Sequence, residues 1–348
     1  MSPSRHPVHC ILPPYVLEHL AESSDEKMRK LAIEAISQSA QTRGFRTALA
    51  GMPAMSAIPS PAGKKNRLVY DAKHQPVNVL PGKLVREEGD PVSKDAAVNE
   101  AYANAGHTYD FYLQVLERNS LDGNGMTLIS SVHVGKSFNN AFWNGEQMAY
   151  GDGDGKLFLR FTKSLDVVAH ELTHGVVTHT SNLVYQGEPG ALNESFADVM
   201  GSLVKQWKRG ETAKQADWQI GPDIMGAGVT ATCLRTLTEK KAYANDPVLG
   251  DDPQPKHLKD KFTGSEDHGG VHINSGIPNH AFYLAATAIG GKAWQKAGLV
   301  WYKALLALTA KSDFADAAEK TIQAAATTFG AGSVEEKAVK AGWKGVGL

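Results

Sequence analysis

The chain has 348 residues, 42% of them hydrophobic, and a formal net charge of -1. That length exceeds one compact domain and can bury a large core, while the near-neutral balance, without basic runs interleaved with aromatics, argues against nucleic acid or an anionic membrane as partner. No apolar run approaches the roughly 20 residues that span a bilayer, and two cysteines, Cys10 and Cys233, cannot supply a disulfide framework.

At the amino terminus Cys10-Ile11-Leu12 is stopped at once by Pro13-Pro14, so Met1 to Lys30 contains no hydrophobic stretch of the Sec-signal kind. Leu17, Leu20, Met28, Leu31, Ile33 and Ile36 predict one or two short amphipathic helices from Val16 to about Arg43. Ala50 to Lys65, rich in Pro, Gly, Ala and Ser, reads as a linker, the kind of segment where proteases cut. From Leu68 to Thr162 mostly strands are expected, with one long helix around Lys94 to Arg118 and a turn at Asp122-Gly123-Asn124-Gly125. Asp152-Gly153-Asp154-Gly155 invites a calcium reading but lacks the later bidentate glutamate of an EF-hand loop, so a turn between strands is expected there. From Ser164 onward helices dominate, including Asn279 to Ile289, Lys292 to Thr309 and Asp313 to Thr328.

His170-Glu171-Leu172-Thr173-His174 is the most informative stretch. Two imidazoles four residues apart on a helix point the same way and can grip one metal ion, and the glutamate between them can take a proton from a bound water. Leu165, Val167, Val168, Ala169, Val176 and Val177 supply apolar positions around the motif, which puts it on a buried helix. The competing reading is two core histidines satisfied by backbone carbonyls. A catalytic zinc takes three protein ligands and leaves a position open. The helical run from Leu192 to Leu203 carries Asn193, Glu194 and Asp198 on or beside an apolar face. Glu194 as third ligand would explain them, with Asn193 and Asp198 holding the outer nitrogens of the two histidines; a merely solvated Glu194 is the alternative.

These residues resemble the thermolysin-like zinc metalloproteases, in which HExxH is followed by a zinc-binding glutamate inside NExxxD. Asn139-Asn140-Ala141-Phe142-Trp143-Asn144-Gly145 resembles the family's substrate-binding edge strand, and Asp267-His268-Gly269-Gly270-Val271-His272-Ile273-Asn274-Ser275-Gly276 its second catalytic segment. The resemblance runs from about Leu68 to the end of the chain. It implies an α+β, two-lobed fold: a β-rich lobe at 66–163, a mainly helical lobe at 164–348, and one zinc ion in the cleft on His170, His174 and Glu194. It further implies Glu171 as general base, His272 and Tyr185 as oxyanion donors, and Asp267 as the residue that orients His272. Asn140, Ala141 and Arg235 would hold the substrate backbone. Phe158, Phe161, Val167, Ile220, Ile224 and Leu234 would line the pocket for the residue after the cleaved bond, giving an endopeptidase that cuts on the amino side of bulky hydrophobic residues.

The family's double-calcium site looks dismantled. Asp166 and Asp217 remain, but Lys205, Gln219 and Pro222 stand at other ligand positions, and Thr232 replaces the aspartate of the last calcium loop. A lysine would repel calcium; its ammonium is expected to take the place of one ion and pair with Asp166. Cys10-Ile11-Leu12-Pro13-Pro14-Tyr15 resembles the short pro-segment of the protealysin-like branch, so residues 1–50 are read as an inhibitory pro-segment and 51–65 as the processing region. Cys10 is expected to pack beneath that segment; the alternative is a thiolate reaching zinc. Partners are thus protein or peptide substrates and the chain's own pro-segment, acting as a monomer without nucleic acid or membrane. Location is secreted by a non-Sec route, with cytoplasmic retention as alternative. Two rival functions are a zinc aminopeptidase, for which no Gly-x-Met-Glu-Asn segment is present, and a non-catalytic binding protein, which would be expected to have lost Glu171 or a ligand.

Overall fold

The computed structural model describes residues 9–26, 28–37 and 63–348. Short strands, those in the middle of the sheet buried at nearly every position, build one mixed sheet: β1 (His9–Cys10), β2 (Arg67–Asp71), β3 (Lys83–Arg86), β4 (Leu128–Val132), β5 (Ala141–Trp143) and β6 (Met148–Tyr150). Their spatial order is β1-β5-β6-β4-β2-β3. The amino-terminal segment therefore adds an antiparallel strand to β5, with His9 opposite Trp143 and Cys10 opposite Phe142. The strand ends at Cys10; Ile11 and Leu12 bend away from it, and Pro14 opens helix α1 (Pro14–Ala21) as its first residue. A second helix, α2, covers residues 28–37. The expected helical region thus splits in two; the expected linker at 50–65 lies mostly outside the described residues.

Helix α3 (Ala96–Leu116) packs on the sheet and starts at Asp95, whose carboxylate accepts from the N–H groups of Ala97 and Val98. Helices α4 (Leu165–Thr178) and α5 (Gly187–Arg209) form the most extensive helix pair. Gly201 permits their close approach: a Cβ there would lie 2.6 Å from the Asp166 carbonyl oxygen. A two-stranded ribbon, β7 (Gln219–Ile220) with β8 (Arg235–Thr236), lies between this pair and α6 (Glu266–Asn274), α7 (Gly276–Ile289), α8 (Ala297–Ala307), α9 (Phe314–Phe329) and α10 (Val334–Gly345) in the chain.

Three local expectations need correction. The helix expected over 292–309 is broken at Lys296, whose φ of -121° and ψ of -67° leave the helical region before α8 begins. α10 was not expected, although Ser333 caps it: the serine hydroxyl accepts from the Glu336 N–H at 3.2 Å, and the Glu336 carboxylate accepts from the Gly332 N–H just before it. The run 152–155 is a turn, but it follows β6 and leads towards α4 rather than joining two strands, because Asp154 turns the chain by accepting from the N–H groups of Lys156 and Leu157. Asp152 is engaged elsewhere, with His133.

Candidate active site

α4 presents His170, Glu171 and His174, and α5 presents Glu194, all fully buried where the two helices meet. The two histidine Nε2 atoms are 3.1 Å apart, and each lies 3.5 Å from one Glu194 oxygen. Those separations match the edge of a tetrahedron of zinc ligands, about 3.3 Å for bonds of 2.0–2.1 Å. Glu194 Oε2 is buried with no hydrogen-bond partner. A buried anion of this kind beside two converging ring nitrogens fits a divalent cation. The outer nitrogens are fixed as the spacing suggested: His174 Nδ1 is 2.9 Å from Asn193 Oδ1, and His170 Nδ1 is 2.9 Å from Asp198 Oδ1. Asn193 and Asp198 thus stand at the outer nitrogens, while the two Nε2 atoms converge beside Glu194.

Asp198 is itself held by Arg235, which donates from Nε and Nη2 at 3.0 and 2.9 Å, and by Asn279 Nδ2 at 2.9 Å. Burial alone would raise the Asp198 pKa; Arg235 and His170 hold it well below the usual carboxylate range. Asn279 was not singled out in the sequence, where it offers no more than a polar residue in an apolar helical run.

The segment 267–270 winds left-handed, with φ between 52° and 79° at Asp267, His268, Gly269 and Gly270. This backbone, costly for the two non-glycine residues, folds Asp267 back over the following turn. One of its oxygens accepts from the N–H groups of His272 and Ile273 at 2.7 and 3.1 Å, and the other lies 2.6 Å from His272 Nδ1. Burial would lower the His272 pKa, but Glu194 and Asp267 raise it to about 9. The Tyr185 hydroxyl lies 3.1 Å from that Nε2 and donates a short hydrogen bond to Glu194 Oε1. Glu171 Oε2 accepts from the Trp143 N–H at 2.9 Å, and burial first, then Glu194, pushes its carboxyl well above the usual range.

Residues 10–12 occupy the cleft. Ile11 N–H donates to the Ala141 carbonyl at 3.2 Å, Leu12 N–H to Asn140 Oδ1 at 3.1 Å, Arg235 Nη1 to the Ile11 carbonyl at 2.8 Å, and His272 Nε2 lies 3.1 Å from the Cys10 carbonyl. Phe158, Phe161, Val167, Ile220, Ile224 and Leu234 are all buried in the same apolar cluster as Ile11 and Leu12. The Cys10 side chain packs with Ala72, Val134, Phe138, Phe142 and Ala149, and Cys10 is not part of the His170, His174 and Glu194 ligand group.

At the expected calcium position, Lys205 Nζ lies 2.8 Å from Asp166 Oδ2, 2.8 Å from Asp217 Oδ1 and 2.6 Å from the Gln219 carbonyl.

A two-histidine, one-glutamate zinc site on paired helices, at the edge of a sheet that has accepted an extended peptide, defines a metallopeptidase. Residues 62–178 match the thermolysin metallopeptidase catalytic domain and residues 181–348 the thermolysin metallopeptidase alpha-helical domain. The chain belongs to this family, and is a zinc-dependent endopeptidase made with a pro-segment. It is 44% identical over 98% of its length, and 97% of the other's, to an extracellular metalloprotease of Pectobacterium carotovorum subsp. carotovorum. It is 40% identical over 97% of its length, and 91% of the other's, to protease PrtS of Photorhabdus sp. (strain Az29). Among solved structures it resembles the precursor of protealysin, a metalloproteinase from Serratia proteamaculans, with a TM-score of 0.89 and 44% identity over 98% of this chain and 99% of that one. Among the described residues no helix is long and apolar enough to cross a membrane.

Proposed function

We propose that this chain cleaves peptide bonds on the amino side of bulky hydrophobic residues, with Glu171 as general base and His272 and Tyr185 as donors to the oxyanion. The observation that carries this reading is the convergence of both donors, the Glu171 carboxylate and the His170, His174 and Glu194 ligand group on one buried cleft. Zinc, when held by His170, His174 and Glu194, supplies a Lewis acid that polarises the scissile carbonyl and makes water a nucleophile near neutral pH. Glu171 accepts the proton of the attacking water and returns it to the leaving amine. His272 and Tyr185 face the oxygen that becomes negative only in the transition state, so they act on turnover more than on binding. Asp267 keeps His272 oriented. Asn140, Ala141 and Arg235 align the substrate backbone, and Phe158, Phe161, Val167, Ile220, Ile224 and Leu234 form the apolar pocket after the cleaved bond. Asn193 and Asp198 orient the ligands.

Residues 1–50 act as the inhibitory pro-segment, with 10–12 filling the cleft, 51–65 is where processing occurs, and the catalytic lobes divide at 163 and 164; the sheet lying before residue 151 and α4 to α10 after it support that division. The mature enzyme works without the double-calcium site, as the Lys205 contacts with Asp166 and Asp217 support. It acts as a monomer, the site being built from one chain, and is exported by a non-Sec route; the description of its Pectobacterium relative as extracellular supports export.

Amino-blocked peptides carrying Leu, Phe or Asp after the cleaved bond test the reading, with Glu171→Ala as control. Cleavage of the Leu and Phe peptides by wild type alone is expected. Preference for Asp would overturn the pocket, and cleavage of unblocked peptides alone would favour an aminopeptidase.

A further inference from the structure

The pro-segment does more than cover the cleft: it lays one peptide bond between His272 and the Ala141 edge of β5. Cys10 and Ile11 share a peptide unit whose oxygen lies 3.1 Å from His272 Nε2 and whose N–H donates to the Ala141 carbonyl at 3.2 Å. The Trp143 N–H, on the same strand as Ala141, holds Glu171 Oε2 at 2.9 Å. On the carboxyl side, Arg235 holds the Ile11 carbonyl and Asn140 holds the Leu12 N–H. The Ile11 side chain is fully buried in the apolar cluster that contains Phe158, Val167 and Leu234. Direction, register and side chain are those of a substrate. Among the described residues of the pro-segment, Cys10–Ile11 is the peptide bond held in this way.

We propose that Cys10–Ile11 is a scissile bond, cut by the site that it fills, so that the chain's first turnover nicks its own pro-segment in cis. This inference rests on the roles assigned to Glu171 and His272 above. The C–N bond breaks, the oxygen of one water bonds to the Cys10 carbonyl carbon, and a proton of that water passes through Glu171 to the Ile11 nitrogen. The products are a Cys10 carboxylate and an Ile11 amine. The amine side does not leave at once, because α1 follows directly and buries Val16, Leu17 and Leu20 in the main core. A retained amine can rejoin the carboxyl side, which slows net cleavage and makes the segment an inhibitor and a substrate together. Loss of residues 1–10 would uncover Phe138 and Phe142 and free His272, while 11–37 still block the other half of the cleft. Activation would then have two stages, of which the linker cut is the second.

Intact mass and amino-terminal sequencing of the full-length chain, incubated with equimolar zinc, test this. A species beginning at Ile11 is expected, forming at a rate independent of protein concentration and slowed at least about a hundredfold in Glu171→Gln. A wild-type chain that hydrolyses amino-blocked peptides yet remains joined at Cys10–Ile11 would overturn the inference and leave the proposed function standing. A chain that cleaves neither would overturn both. Amide hydrogen exchange on the zinc-free chain gives an independent readout: Ile11 and Leu12 should be protected, and Asn140→Ala should release Leu12. Free exchange at both amides in the wild type would also overturn it.

Discussion

Lys205 and Asp166 form an ion pair of 2.8 Å inside the α4 and α5 interface, with both residues at most 1% exposed. A buried carboxylate left without its cation costs far more than the pair itself contributes. Lys205→Met is therefore expected to destabilise the chain by about 3–5 kcal/mol, read by urea unfolding. Added calcium should leave the wild-type melting temperature unchanged; a sharp rise would mean that a calcium site survives.

Zinc retention separates the ligands from the residues that orient them. His174→Ala should abolish stoichiometric zinc after dialysis, whereas Asn193→Ala, which frees only the outer nitrogen, should weaken affinity by about 10- to 100-fold. Metal content measured against a graded chelator distinguishes the two, and equal losses would place Asn193 among the ligands.

His272→Ala should lower kcat of the processed enzyme about a hundredfold with zinc content intact. Parallel loss of zinc and activity would show that His272 supports the metal site and not the oxyanion.

Stability should also depend on pH through His133. Its hydrogen bond to Asp152 raises the pKa to about 9 against the lowering effect of burial, with Asp95 adding to the rise. A raised folded-state pKa gives stability in full below the unfolded value of about 6.5, and loses it as pH climbs through 9. Between those limits the melting temperature of wild type should fall towards that of His133→Gln. Two curves that stay parallel from pH 6 to pH 9.5 would contradict the assignment.

Much of the catalytic centre was legible because its parts are local. Spacing of four residues puts His170 and His174 on one helix face whatever surrounds them, and Asn193, Glu194 and Asp198 share a second helix for the same reason. The lysine in the calcium position was legible as chemistry, since an ammonium and a dication exclude each other. Asn279 on Asp198 was not legible, and neither was the break at Lys296, because no short-range periodicity encodes either.

The sequence by itself determined a candidate set of metal ligands, the helices that carry them and the presence of a short amphipathic pro-segment with an apolar stretch stopped at Pro13-Pro14. Only the tertiary structure decided what fills the cleft. His272 meets the Cys10 carbonyl across 262 residues and Arg235 meets that of Ile11 across 224. Such contacts depend on which sheet edge is left unpaired once the lobes have packed, and the chain's own amino terminus supplies both the strand for β5 and two buried apolar residues, Ile11 and Leu12, for the core.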